Sequence, residues 1–276
     1  MLTVTSAQLR AAAPHGWFAV IAAIAAASGA VFAKYDLTTL NRVWGFLSVA
    51  IEESGLNVLV EDMNYSAERA HEVWPSIFPT VASAQPYAHE PQELANRVYG
   101  GRMGNTGPND GWLYRGRGLI QITGRNNFAA LALKTGLPLT DHPEMVTDPA
   151  HLLECSVALF VSYPSILELC DKGDFKAVWA LVGTGHATGA VINLAAHEAA
   201  LAAVRKAIPA LVETAPRTVQ QQTISQPAAV SPSPAPSPSD RLDAVQAKLA
   251  TMNPTSAQEG WLAELEAHVE KFFGFD

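Results

Sequence analysis

Three features of the 276-residue chain predict a mainly α-helical protein. Ala-rich and Leu-rich segments dominate, and these residues favour helices. Apolar residues recur at helical spacing, as in Val43, Phe46, Leu47 and Ala50. Capping residues, prolines and glycines mark helix starts and stops along the chain. Hydrophobic residues make up 49% of the sequence, enough for the core of one large domain, alone or with an appendage.

The first helix is short and starts at Ser6-Ala7-Gln8-Leu9. Trp17 to Tyr35 reads as an Ala-rich core helix. Within it, residues 17–33 have about the length of a signal core and end in small residues. A weak membrane anchor or export signal is therefore the alternative, although the stretch falls short of the roughly 20 residues of a span. Asp36 to Thr39 is turn-like, and Leu40 to Glu53 is the next helix, broken by Ser54-Gly55. Ser66 to Phe78 reads as a helix with Ser66 as cap and Pro79 as stop. Pro91 to Tyr99 is a short helix opened by proline at its first position. Gly100 to Gly118 is a glycine-rich structured loop, and Asn126 to Thr135 a helix closed by Gly136. Pro149 to Leu169 reads as a long apolar helix interrupted at Pro164, whose ring removes a backbone donor. Phe175 to Val182 and Ala187 to Ile208 complete a helical domain over residues 1–212.

The composition then changes. Residues 213–240 contain the tract PAAVSPSPAPSPSD, expected to be a semi-rigid extended linker. Arg241 to Met252 and Ala257 to Phe273 read as a C-terminal helical hairpin, 241–276, with Ser256 and Glu259 in capping-box spacing. Trp261, Leu265, Val269, Phe272 and Phe273 line one face of it. So small a unit cannot bury that face alone, which predicts docking on the main domain, self-association or a partner protein.

Several function classes are disfavoured at this point. A net charge of −8 argues against nucleic acid as a partner and against simple electrostatic capture by an anionic membrane or cell wall. Cys155 and Cys170 make no disulfide framework and are expected to be buried free thiols. His71-Glu72 and His197-Glu198 each begin a metal-binding HExxH pattern that finds no second histidine, so neither a metal nor a cofactor is expected.

Glu53 and Glu61 lie eight positions apart, ahead of the cassette NRVYGGRMGNTGPNDGWLYRGRGLIQITGRNNF from Asn96 to Phe128. Cutting a sugar–sugar bond needs two carboxyl groups, one to protonate the leaving oxygen and one to prepare a water or attack the ring. Glu53 ends a helix, where partial desolvation would keep it protonated, and a like charge on Glu52 would add to this. The break at Gly55 lets the chain fold back, so that a carboxyl separation of about 6.5–9.5 Å, suited to an inverting cut, is reachable. By spacing alone the two glutamates would read as surface charge; the cassette changes the balance. Gln121 and Asn126 present donors and acceptors to a sugar edge, and the Thr123 hydroxyl can hold a water. Tyr65, Trp112 and Tyr114 offer flat faces to sugar rings, with core packing as the alternative. Arg97, Arg102, Arg115 and Arg117 have the chemistry to orient carboxylates or hold the glycine-rich loop; Arg117 is placed with the substrate-binding residues.

IEESGLNVLVEDMNYSAERA, NRVYGGRMGN and WLYRGRGLIQITGRNNF together resemble the glycoside hydrolase family 19 endolysins and chitinases of phages and bacteria. The resemblance runs over most of residues 1–200 and is most specific over 44–128. It implies a lysozyme-like helical domain with a two-lobed cleft, Glu53 as general acid, Glu61 as general base and Thr123 helping to hold the attacking water. It further implies a polysaccharide substrate, peptidoglycan or a chitin-like polymer. For a phage-encoded enzyme it implies residence in the host cytoplasm until a holin-type partner opens the membrane to the cell wall. The chain departs from the family pattern in places. Glu52 replaces the usual histidine before the acid, one glycine of the following motif is missing, and Phe128 replaces a common tyrosine. The late Asn-Gly-Gly segment appears as VGTGHATGAVINLAA, residues 182–196.

Two other readings compete. Glu53-Ser54-Gly55-Leu56-Asn57 and Gly118-Leu119-Ile120-Gln121 also resemble motifs of lytic transglycosylases, in which one glutamate serves as acid and then base. The third reading is a non-catalytic wall-binding or virion structural protein that keeps the fold.

Overall fold

The computed structural model describes residues 2–213. The rest of the linker 213–240 and all of the hairpin 241–276 lie outside the described residues. Within the described residues the protein is mainly helical, as the sequence predicts. A two-residue strand β1 (Leu2–Thr3) pairs antiparallel with β2 (Val212–Glu213), joining the two ends of this region.

Helix α1 (Ser6–Ala12) starts in a capping box formed by Thr5 and Gln8. Helix α2 (Phe18–Lys34) buries Val20, Ile21, Ile24, Ser28 and Phe32 and packs on α1 and on α9 (Leu152–Phe160). None of the helices among the described residues is long and apolar enough to cross a membrane. Helix α3 (Leu40–Ser54) is the spine of the larger of two apolar clusters. Its Val43, Phe46, Leu47 and Ala50 are fully buried, as their spacing predicts, and Phe46 meets Phe160 edge-on at 5.6 Å. Burial of Val43, Phe46 and Leu47 contributes about 1.5–3 kcal/mol each. Cys155 and Cys170 are buried free thiols in this cluster, each pushed up to about 12 by burial.

A second, smaller cluster gathers Met63, Phe78, Leu94 and Val98. It is built from α4 (Ala67–Val73), α5 (Val81–Ala84), α6 (Pro91–Tyr99) and α7 (Asp110–Leu113). Helices α6 and α7 touch backbone to backbone at Gly111, where an added Cβ would sit 2.5 Å from the Ala95 carbonyl oxygen. Buried Asp110 accepts from the Thr106 and Gly107 amides and pairs with Arg125, closing the glycine-rich loop.

Several helix boundaries differ from the sequence reading. Residues 66–78 are helical only to Val73, because Trp74 precedes Pro75 and is driven out of the helical region. The glycine-rich loop contains the short helix α7. The 149–169 segment divides at Pro164 into α9 and α10 (Ile166–Asp171), with Ser165 left-handed between them. Helix α8 (Arg125–Thr135) is closed by left-handed Gly136, as expected. Helix α11 (Phe175–Thr184) runs on to Gly185, and α12 (Leu194–Ala207) starts only after left-handed Asn193, so residues 187–193 are a turn.

Candidate active site

Glu53 stands in the last turn of α3. Left-handed Gly55 caps the helix, its amide donating to the Ile51 carbonyl, and the Ser54 hydroxyl donates to the Ala50 carbonyl. Leu56 follows at φ +56°, a costly conformation for leucine that its complete burial offsets. The chain then runs beside the cassette as a small antiparallel corner. Val60 bridges Arg117, Arg117 bridges Ile122, and the Gly118 amide donates to the Leu59 carbonyl.

This corner delivers Glu61. Its backbone amide donates to the Gly116 carbonyl, and the Gly116 amide returns a 3.1 Å bond to Glu61 Oε2. The Tyr99 hydroxyl donates to Oε1 at 2.7 Å. A Cβ on Gly116 would lie 2.5 Å from Gln121 Oε1, the free end of a flexible side chain, and 3.3 Å from Glu61 Cβ. Gln121, itself left-handed, donates its amide to the Val58 and Gly118 carbonyls. Thr123 donates to the Gln121 carbonyl at 3.1 Å, which leaves its oxygen able to accept from a water.

The electrostatics separate the two carboxyls. Glu53 has no hydrogen-bond or ion-pair partner among the described residues. Its side chain is exposed to one side, yet enough protein surrounds the carboxyl to push it up to about 7, chiefly by desolvation and then by the charge of Glu52. Tyr163, from the turn after α9, lies close enough to feel the Glu53 charge; burial first and that charge second hold its hydroxyl protonated. On the other side, burial and then the charge of Glu61 raise both Tyr65 and Tyr99. Arg115 Nε donates to the Glu61 backbone carbonyl, and burial, together with neighbouring Arg117, pulls its guanidinium down to about 10.

Glu61, Gln121, Thr123 and Tyr65 thus gather around one corner, with Glu53 at the helix end that feeds it. Tyr65 is half-buried and meets Trp74 edge-on. Trp112 is half-buried, with one face covered by the Arg115 guanidinium 3.4 Å from its ring centre. Asn126 is exposed and packs on Gly104, where an added Cβ would strike it. Arg117 is desolvated and bonds the Leu113 carbonyl. Tyr114 corrects the sequence reading: it is 2% exposed, packs on Phe128 and donates to the Thr140 carbonyl, so it offers no face to a sugar. Tyr99 and Tyr163 were missed, whereas Gly116 is one of the cassette glycines (100, 101, 104, 116 and 118) expected to serve turns and close backbone approach. Tyr99 and Gly116 lie in the singled-out cassette, but nothing local marks Tyr99 as the donor to Glu61. Among the described residues no group of three or more His, Cys, Asp or Glu side chains could hold a metal ion.

No family model matches the chain. Over 136 residues it is 36% identical to a glycosyl hydrolase family 19 domain-containing protein of Haemophilus influenzae. The match covers 49% of this chain and 66% of that protein, just short of two thirds of its length. The likeness to the family 19 domain falls on a mainly helical chain that carries both Glu53 and Glu61, as the sequence motifs predict.

Proposed function

We propose that the protein is a glycosidase that cuts the glycan strands of bacterial peptidoglycan by an inverting, two-carboxylate mechanism, as an endolysin does. The observation that carries this reading is the unlike setting of its two acids. Glu53 lacks a partner and is pushed up to about 7, so at neutral pH much of it still holds a proton to give. Glu61 accepts at both oxygens from fixed donors, Tyr99 and Gly116, and keeps lone pairs for a water.

In this mechanism Glu53 donates its proton to the glycosidic oxygen as the bond to the anomeric carbon breaks. Glu61 takes a proton from a water that Thr123 helps hold, and the hydroxide so formed attacks the opposite face of the sugar. The products are a free alcohol on the leaving sugar and an inverted hemiacetal. Tyr65 and Trp112 would carry sugar rings, and Gln121, Asn126 and Arg117 would bond their polar edges.

Digestion of purified peptidoglycan, followed by mass spectrometry of the fragments, tests the reading. Reducing N-acetylmuramic acid ends indicate a muramidase and reducing N-acetylglucosamine ends a glucosaminidase. Anhydro-muramic ends would replace the hydrolytic mechanism with a transglycosylase one. Intact sacculi alongside hydrolysed chitin oligomers would move the substrate to chitin, and tight binding without cleavage of either polymer would overturn every catalytic version.

A further inference from the structure

The residue before the acid is not idle. Glu52 points away from solvent, its side chain only 10% exposed. It accepts from Asn193 Nδ2 at 3.1 Å and lies 3.5 Å from His197 Nε2. The His197 ring stacks on Trp179, centres 5.1 Å apart and planes 14° from parallel. Trp179 Nε1 donates at 3.1 Å to the hydroxyl of Ser48, which lies on α3 one turn before Glu52. The contacts therefore close a circuit from α3 through α11 and α12 back to α3.

We propose that Glu52, clamped by Asn193 and His197, is a positioning residue for the reaction: the clamp locks the last turn of α3 to α12 and sets a fixed negative charge beside the proton donor. The inference rests on the reading of Glu53 as that donor. The protonation of His197 follows from its surroundings. Nδ1 is buried with no partner, so a doubly protonated ring would leave a charged N–H unsatisfied, whereas a neutral ring with its proton on Nε2 faces Glu52 and leaves only a bare lone pair. Burial accordingly holds His197 below its ordinary range, with Glu52 opposing this. A neutral His197 orients Glu52 without cancelling its charge. Other ionisable groups on the packed elements do not take this role. Tyr163 faces Glu53 but stays protonated, Asp171 pairs with Arg42 at the far end of α3, and Arg205 lies over Trp44 and Phe175. Lys176 and Glu198 are exposed.

The test is a carboxyl-carbon NMR titration of Glu53 in the full chain, its signal assigned by comparison with E53Q. E52Q should lower the Glu53 midpoint by about half a pH unit or more, roughly a threefold loss of the protonated form above the midpoint. His197→Phe keeps the stack but leaves Glu52 held by Asn193 alone, and should lower the midpoint as well. The double variant should fall no further than E52Q. His197→Gln, which can still donate to Glu52, should restore the wild-type midpoint. A midpoint unmoved by E52Q, or a His197→Phe effect that persists undiminished in the E52Q background, would overturn the proposal; E52Q alone decides it should the His197→Phe chain fail to fold. Because the readout needs no substrate, a wild-type protein that leaves both polymers intact sinks the glycosidase reading without deciding the clamp. Where there is activity, the alkaline limb of the kcat/KM profile should follow the Glu53 midpoint through the series.

Discussion

Glu53 and Glu61 are the same residue type, separated by one turn of chain, and they sit in opposite surroundings. Helix α3, the spine of the larger cluster, presents Glu53 at its end with no partner among the described residues, where partial burial and the Glu52 charge favour the protonated form. Glu61 sits between a hydroxyl donor, Tyr99 of α6 beside the smaller cluster, and the Gly116 amide of the cassette. In the proposed mechanism the difference would assign the acid and base roles by what surrounds each carboxyl. A proton donor needs an environment poor in partners; a base needs donors that fix its geometry and leave it able to accept.

The contrast can be broken at either end. The largest effect expected is on kcat for the glycan cleavage proposed above: E53Q and E61Q should each cost about 10²–10⁴-fold, the usual range for a general acid or base. Fragment release measured by steady-state kinetics checks this, and an E61Q enzyme still making anhydro ends at near wild-type rate would show that Glu61 is not a base. Next, Tyr99→Phe removes a charge-assisted bond and should cost about tenfold in kcat/KM. An unchanged rate would mean that Tyr99 serves only packing. G116A should come lower still, about 2–10-fold, because its Cβ displaces the movable Gln121 amide while leaving the fold alone. A circular dichroism melt at the wild-type temperature together with a raised KM is the expected pair of results.

The smallest effect is on stability, and its sign is fixed. Glu53 binds its proton more tightly in the fold, at about 7, than at its ordinary value of 4.5. Ionising it therefore works against folding: its contribution is fully present below the ordinary value and lost as pH rises through the folded one. E53Q should accordingly melt higher than wild type at pH 8 and no higher at pH 4. A gain of equal size at both pH values would dissociate it from the carboxyl charge. Activity should decline over the same alkaline range.

Much of the helical skeleton was legible because its causes are local. Pro91 at a first helical position, Ser66 as a cap, and Gly55 and Gly136 as left-handed stops act within one turn of chain, and the structure keeps all four. The buried stripe of α3 followed from spacing alone. Local patterns failed where a turn residue overrode apolar periodicity, as at Trp74-Pro75 and at Asn193.

What the sequence by itself determined, then, is a mainly helical chain, its caps and breaks, and a pair of glutamates ahead of a recognisable cassette. Only the tertiary structure decided what surrounds each glutamate. The Tyr99 hydroxyl reaches Glu61 across 38 positions, Asn193 reaches Glu52 across 141, and β1 meets β2 across the full described region. It also decided that Tyr114 faces the core while Tyr65 lies beside Glu61. Propensity and capping act between neighbours in the chain, whereas desolvation, hydrogen bonding and the field of a nearby charge depend on distances in space, which only tertiary packing sets.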